Sequence, residues 1–162
     1  MTVDVAIPEH LTRLSIRREF DAPRALVWKM WTDPAHVAVW WAPEHFTNPV
    51  VEMDVRPGGA IHVVMRGPDG QDHPFDGRFV SIDEPERLVI QTWINLPDGS
   101  TWFAVEQTAR FEEVDGRTIL HFSAEVLEAK ADAIGPLSGM EMGWSQSLDK
   151  LGRHIGRLTA QT

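Results

Sequence analysis

The residue types best suited to chemistry in this chain are its tryptophans, histidines and carboxylates, and each group points to a different activity. Trp28, Trp31, Trp40, Trp41, Trp93, Trp102 and Trp144 occur without a single tyrosine. An indole offers a broad apolar face and one N–H donor, so a group of them suits a flat apolar ligand. Trp31 and Trp40 fall at core-packing spacings. Trp41 and Trp144 stand between core and pocket wall, and Trp28 and Trp102 are candidates for an exposed or interfacial position.

His36, His45, His62 and His73 would be the raw material of a metal site. They scatter over different elements and show neither an HExxH pattern nor another tight ligand spacing. They are therefore read as solvated side chains, and no metal or other cofactor is expected. His121 has the opposite parity to Leu120 and Phe122, which turns it outward. Gly143-Trp144-Ser145-Gln146-Ser147 is one glycine short of a nucleophile elbow and lies within a helical pattern, so it reads as helix surface. Gly58-Gly59 is a turn rather than a phosphate loop, and Asp69, Asp72 and Asp76 lack the spacing of a calcium loop. A general acid or base for a cavity reaction would have to come from Glu106, Asp54, Glu52, His62 or Gln107. Strand alternation turns all of these outward except Gln107, which places binding ahead of catalysis.

The elements that must position these groups are readable in order. Leu14 to Phe20 alternates apolar and polar, as a half-buried strand does. Pro23 opens a helix whose buried stripe is Val27, Met30 and Trp31. Asp33-Pro34 is an N-cap followed by proline at the first helical position, and the second short helix repeats the stripe with Val37, Trp40 and Trp41. Six strands follow, around Val51–Val55, Ile61–Met65, Phe75–Ile82, Leu88–Leu96, Thr101–Glu112 and Thr118–Val126. Turn signals separate them, among them Pro68-Asp69-Gly70, Pro97-Asp98-Gly99 and Asp115-Gly116. Short connections between strands imply an antiparallel meander. A helix from about Leu137 to Leu158 closes the chain, with Met140, Trp144, Leu148, Leu151, Ile155 and Leu158 on one face.

Composition bounds the function. The 162 residues carry a formal net charge of −9 and contain no cysteine. An acidic chain without a basic cluster repels phosphate backbones, so nucleic acid is not an expected partner. No apolar stretch approaches the roughly 20 residues of a membrane span. The start of the chain lacks the features of a secretory signal, and a cytoplasmic protein is expected. Residues 1–11 read as a flexible leader and 12–160 as one domain.

Several segments resemble a known family: Ala22–Pro34 (APRALVWKMWTDP) running into Trp40-Trp41, Val64–Gly70 (VMRGPDG), Pro74–Gly77 (PFDG), Glu84–Val89 (EPERLV) and Gly143–Leu151 (GWSQSLDKL). They are similar to the bacterial proteins related to the C-terminal domain of the activator of Hsp90 ATPase. These belong to the START-like, helix-grip superfamily, with polyketide cyclases and the birch-pollen allergen fold. The resemblance spans residues 12–158. It implies an α+β helix-grip fold: a seven-stranded antiparallel sheet curled around the long C-terminal helix, with two short helices after the first strand. The superfamily includes carriers, receptors, enzymes and co-chaperones, and a fold does not choose among them. With only residues 1–10 ahead of the first strand, stimulation of the chaperone is expected to be absent.

A single helix across a large curled sheet leaves a cavity. Strand parity and the helix stripe assign its lining to Met53, Val55, Ile61, Val63, Met65, Phe75, Phe79 and Ile90, with Trp41, Met140 and Trp144 at the rim. The expected function is non-catalytic binding of a small hydrophobic or aromatic molecule there. The alternatives are an enzyme of cyclase or hydrolase type acting on a polyketide-like substrate, and a co-chaperone-like or stress-response interaction module. The expected partner is a small apolar ligand, with homodimerisation left open.

Overall fold

In a computed structural model, which describes residues 2–160, seven strands form one antiparallel sheet in the spatial order β1-β7-β6-β5-β4-β3-β2. The strands are β1 (Arg13–Phe20), β2 (Thr47–Met53), β3 (Ala60–Arg66), β4 (Asp72–Asp83), β5 (Arg87–Asn95), β6 (Thr101–Val114) and β7 (Arg117–Ala129). Two short helices, α1 (Arg24–Thr32) and α2 (Pro34–Trp40), carry the chain from the β1 edge to the β2 edge. Helices α3 (Ile134–Ser138) and α4 (Met140–Thr159) close the fold. This is the helix-grip architecture the sequence implies.

Local chemistry explains the elements. The Asp33 side chain accepts a hydrogen bond from the Ala35 N–H at 3.0 Å, and Pro34 occupies the first turn of α2. The two longest strands, β6 and β7, are joined by Asp115-Gly116 with φ of 53° and 77°. A two-residue hairpin with both central residues at positive φ matches the twist of the flanking strands, and glycine adopts it without strain. Register shifts leave one extra residue in β4 (Val80, against β5), in β6 (Trp102, against β5) and in β7 (Leu127, against β6), and such bulges bend a sheet. Edge strand β2 has its own shift between Thr47 and Val50, beside Pro49.

Three expectations need correction. Residues 2–11 are not a loose leader. Val3 bridges to Ala129, Asp4 N–H donates to Ala129 O at 2.9 Å, and Ile7 is buried in the core. Trp28 is neither exposed nor interfacial: it is buried, with its N–H donated to Glu84 at 2.9 Å and its ring edge-on to Phe111. The closing helix is not continuous from Leu137. It breaks at Gly139, which ends α3 and begins α4.

The break has a cause in sequence. Gly135, Pro136, Gly139 and Gly143 crowd into two turns, and each interior glycine costs roughly 1 kcal/mol relative to alanine. Gly135 and Gly139 are not there to let the helix approach a neighbour, whereas a Cβ on Gly143 would touch Pro43 Cγ at 3.4 Å. A Cβ built on Gly135 meets nothing within 4 Å, and one on Gly139 meets only Pro136 O at 3.8 Å. Gly139 has φ −93° and ψ −1°, open to alanine. Gly139→Ala should therefore raise stability by about 0.5–1 kcal/mol, measurable by denaturant unfolding. Hydrogen exchange should run faster in residues 134–143 than in 147–158, where Leu148, Leu151 and Ile155 are buried. Uniform protection along both helices would contradict this.

Candidate functional site

Helices α1 and α2 fill one half of the space above the sheet, and α3 and α4 leave the other half open. Beneath α1 and α2, Trp31 and Val37 pack on Met53, Ile61, Val63, Phe79, Leu88 and Ile90, leaving about 10 Å³. That half is core. Between α3–α4, the 41–46 loop and the ends of β3 to β6 lies a cavity of about 530 Å³. Of the residues expected to form it, Trp41, Met65, Phe75, Met140 and Trp144 are on its wall. Met53, Ile61, Val63, Phe79 and Ile90 line the small space instead, which Trp41 and Phe75 also border. Val55 borders neither. The chain leaves the sheet after Met53, and Val55 is 40% exposed.

The wall also holds residues that sequence reasoning placed elsewhere. Ser147, read as helix surface, is 3% exposed and faces the cavity. Trp102 is part of the wall, with its N–H donated to Asp132 at 2.8 Å. Phe46, Thr92, Phe103 and Leu137 complete much of the rest. Gln107, the one inward-facing polar candidate, is buried on the wall. Hydrogen-bond geometry orients its amide so that the oxygen accepts from Thr92 Oγ1 at 2.8 Å, while the nitrogen donates to Val105 O and Ile90 O at 3.3 Å. Gln107 is thus satisfied by the protein itself. The Ser147 hydroxyl makes no hydrogen bond among the described residues. Glu52 and Glu106 are absent from the wall, as strand parity requires, and Asp54 lies beyond the end of β2. His62 pairs with Asp76 at 2.8 Å and His121 with Glu112 at 3.1 Å, both away from it. His73 sits exposed at the rim, near Phe46.

The aromatic wall is continuous with the core. Trp144 lies 4.3 Å from Phe122 and 4.9 Å from Trp41, ring centre to ring centre, and parallel to Trp31 at 6.3 Å. Trp40, fully buried, packs 4.6 Å from Trp31 and donates its N–H to Met30 O at 2.9 Å. Trp31 Nε1 is buried with no acceptor among the described residues.

Two polar devices on α4 hold the surrounding elements. Lys150 Nζ donates to Ala42 O at 3.1 Å and to Pro43 O and Phe46 O at 3.3 Å. Gln146 accepts from the Glu44 N–H at 3.1 Å, and Arg153 pairs with the Glu44 carboxylate. The loop so held contains Ala42 and His45 at φ 92° and 69°, conformations that non-glycine residues rarely adopt. Burial pushes the Lys150 ammonium below its usual range.

The second device joins α4 to α2. His36 Nδ1 and His154 Nε2 share a hydrogen bond of 2.9 Å. Burial first, then His36 and Arg157, lower the His154 pKa below 6.5. A group that takes a proton less readily when folded stabilises the fold above its unfolded pKa and withdraws that stability as pH falls. Stability should therefore decline on acidification below 6.5. Thermal unfolding in a pH series checks this, and His154→Gln should flatten the decline. Glu44, Asp72 and Asp98, lowered by Arg153, Arg66 and Ser100 respectively, act in a separate window below 4.5 and 3.8.

The fold is that of a helix-grip protein with an aromatic-walled pocket, open to solvent, between α3–α4 and the sheet. Residues 21–156 match the family described as activator of Hsp90 ATPase homolog 1-like protein, and the chain belongs to that family. Solved structures agree on the fold. A Nitrosomonas europaea protein, 21% identical, superposes with a TM-score of 0.79 over 94% of this chain and 99% of its own. A Chromobacterium violaceum protein is 27% identical, with a TM-score of 0.77 over 89% and 97%. A Mycobacterium smegmatis protein is 25% identical, with a TM-score of 0.74 over 93% and 94%. No curated protein matches the chain. Among the described residues, no helix is long and apolar enough to cross a membrane.

Proposed function

We propose that the chain binds a flat, largely apolar small molecule between α3–α4 and the sheet, without changing it chemically. The wall carries this reading. Within about 530 Å³, Trp41, Phe46, Phe75, Trp102, Phe103 and Trp144 present ring faces or edges, while Thr92 and Ser147 supply hydroxyls. Ligand sites of this size combine an apolar lining with a few polar groups that fix orientation. The Thr92 hydroxyl donates to Gln107, so it is left as an acceptor for a ligand hydroxyl.

The probe that fits this pattern is 2-naphthol, a planar bicycle with one hydroxyl. It should quench tryptophan emission saturably and appear as added mass in native mass spectrometry. Val105→Phe, which extends a wall side chain into the space, should abolish binding while the protein remains folded. Thr92→Val should weaken 2-naphthol by roughly fivefold and leave naphthalene unchanged, the cost of one hydrogen bond. Undiminished binding to Val105→Phe would refute the cavity as the site. Recovery of a chemically altered probe would replace binding with catalysis.

A further inference from the structure

The outer face of the sheet carries a basic rung that the cavity does not explain. Cross-strand register sets Arg17 beside His121, His121 beside Arg110, and Arg110 beside Arg87. These alternate with the buried Leu120 and Phe122 of β7, so they lie on the face turned away from the core. The neighbouring rung aligns the hydroxyls of Ser15, Ser123 and Thr108. Together the two rungs border a recess of about 400 Å³.

Like charges placed directly opposite each other destabilise a sheet unless something offsets them. At one end of the rung the offset is visible. Arg17 pairs with Glu19 at 3.3 Å and His121 with Glu112 at 3.1 Å. Among the described residues, Arg110 and Arg87 make no ion pair and no side-chain hydrogen bond. Asp83 stands opposite Arg87 in the β4 register, yet the two form no ion pair. The hydroxyls of Ser15, Thr108 and Ser123 are equally unpartnered among the described residues. Two adjacent free guanidinium forks beside three free hydroxyls, in a chain of net charge −9, form a set of donors without acceptors.

We propose that this recess binds the phosphoryl group of a small soluble molecule. A tetrahedral dianion offers the charge and the several acceptor oxygens that two guanidinium forks and flanking hydroxyls can meet together. The surrounding rungs limit its size. Glu19 and Glu112 stand on one side, and on the other Glu125, which pairs with Arg13 at 3.8 Å, stands opposite Glu106. An extended polyanion or an anionic bilayer would meet those carboxylates, whereas a compact phosphate would not.

Inorganic phosphate is the probe, titrated into isotope-labelled full-length protein at constant ionic strength and followed by amide chemical shifts. Saturable shifts should cluster at residues 87, 108, 110, 121 and 123. They should be much smaller with chloride alone. Arg87→Gln combined with Arg110→Gln should raise the phosphate Kd by about tenfold or more. The same double variant should bind 2-naphthol as the parent does, which separates this site from the cavity. Shifts that do not saturate, or that persist in the double variant, would overturn the proposal. Tighter association with vesicles containing phosphatidic acid than with free phosphate would overturn the assignment to a soluble molecule.

Discussion

Trp40→Ala should cost about 3–5 kcal/mol of folding stability, the range for deleting a large aromatic from a close-packed core. Trp40 is fully buried, tilts against Trp31 at 4.6 Å and Trp41 at 5.6 Å, and gives its N–H to Met30 O. Alanine would leave both a void and a buried carbonyl without its donor. For a chain of this size the loss is a large share of the roughly 5–15 kcal/mol that separates folded from unfolded. The melting temperature should fall by about 10 °C or more. Trp40 also supports Trp41, a cavity wall residue, so surviving folded protein should bind 2-naphthol less tightly. Trp40→Phe, which keeps most of the ring but loses the N–H, should recover more than half of the stability. Thermal and denaturant unfolding of the three proteins checks the order, and a Trp40→Ala loss below about 1 kcal/mol would contradict it.

Lys150→Met should be the second large effect, and it should act on the cavity more than on the core. The ammonium satisfies three carbonyls of the 41–46 loop, and methionine can donate to none of them. Hydrogen bonds to a charged donor each contribute on the order of 1.5–3 kcal/mol, but shared geometry makes the sum less than additive, so about 2–3 kcal/mol is expected. The loop holds Ala42 and His45 at positive φ. Without the ammonium these two residues should relax, carrying Trp41, Pro43 and Phe46 with them. The predicted result is a lowered melting temperature together with faster hydrogen exchange confined to residues 41–48. Lys150→Arg should restore part of both, since its donors sit in a fixed fork rather than at one point. Global destabilisation with no local change in the loop would count against the assignment.

The sequence made the sheet legible because turn chemistry and alternation act over a few residues. Asp115-Gly116 demands a hairpin, and the parity of β3 and β7 follows from burial on one face. The cavity was less legible because it depends on what α1 and α2 fill. Met53, Ile61, Val63, Phe79 and Ile90 have the inward parity expected of them, yet Trp31 and Val37 cover them. Parity gives a face, and packing decides whether that face is core or wall. Ser147 carried an overlooked signal. It lies three residues after Trp144 and four before Leu151, on the apolar stripe of α4. His154 lies on the same side, three residues after Leu151, but nothing local announces its partner on α2. The contacts of Lys150 with residues more than a hundred positions away were beyond any local pattern.

The two borders of the sheet differ in their capacity for self-association. A bare strand edge is a template on which another chain can continue the backbone ladder. At the β2 border Pro49 presents no N–H, and the displaced register between Thr47 and Val50 breaks the even spacing an incoming strand would need. That border is therefore capped against recruitment. Growth of the sheet by strand addition, whether into a symmetric dimer or an unwanted fibre, is left to the β1 border. There Arg13, Arg17 and Glu19 are exposed, and a two-fold partner would have to set its own copies of these charges against them. A pair built through that border would thus be sensitive to ionic strength.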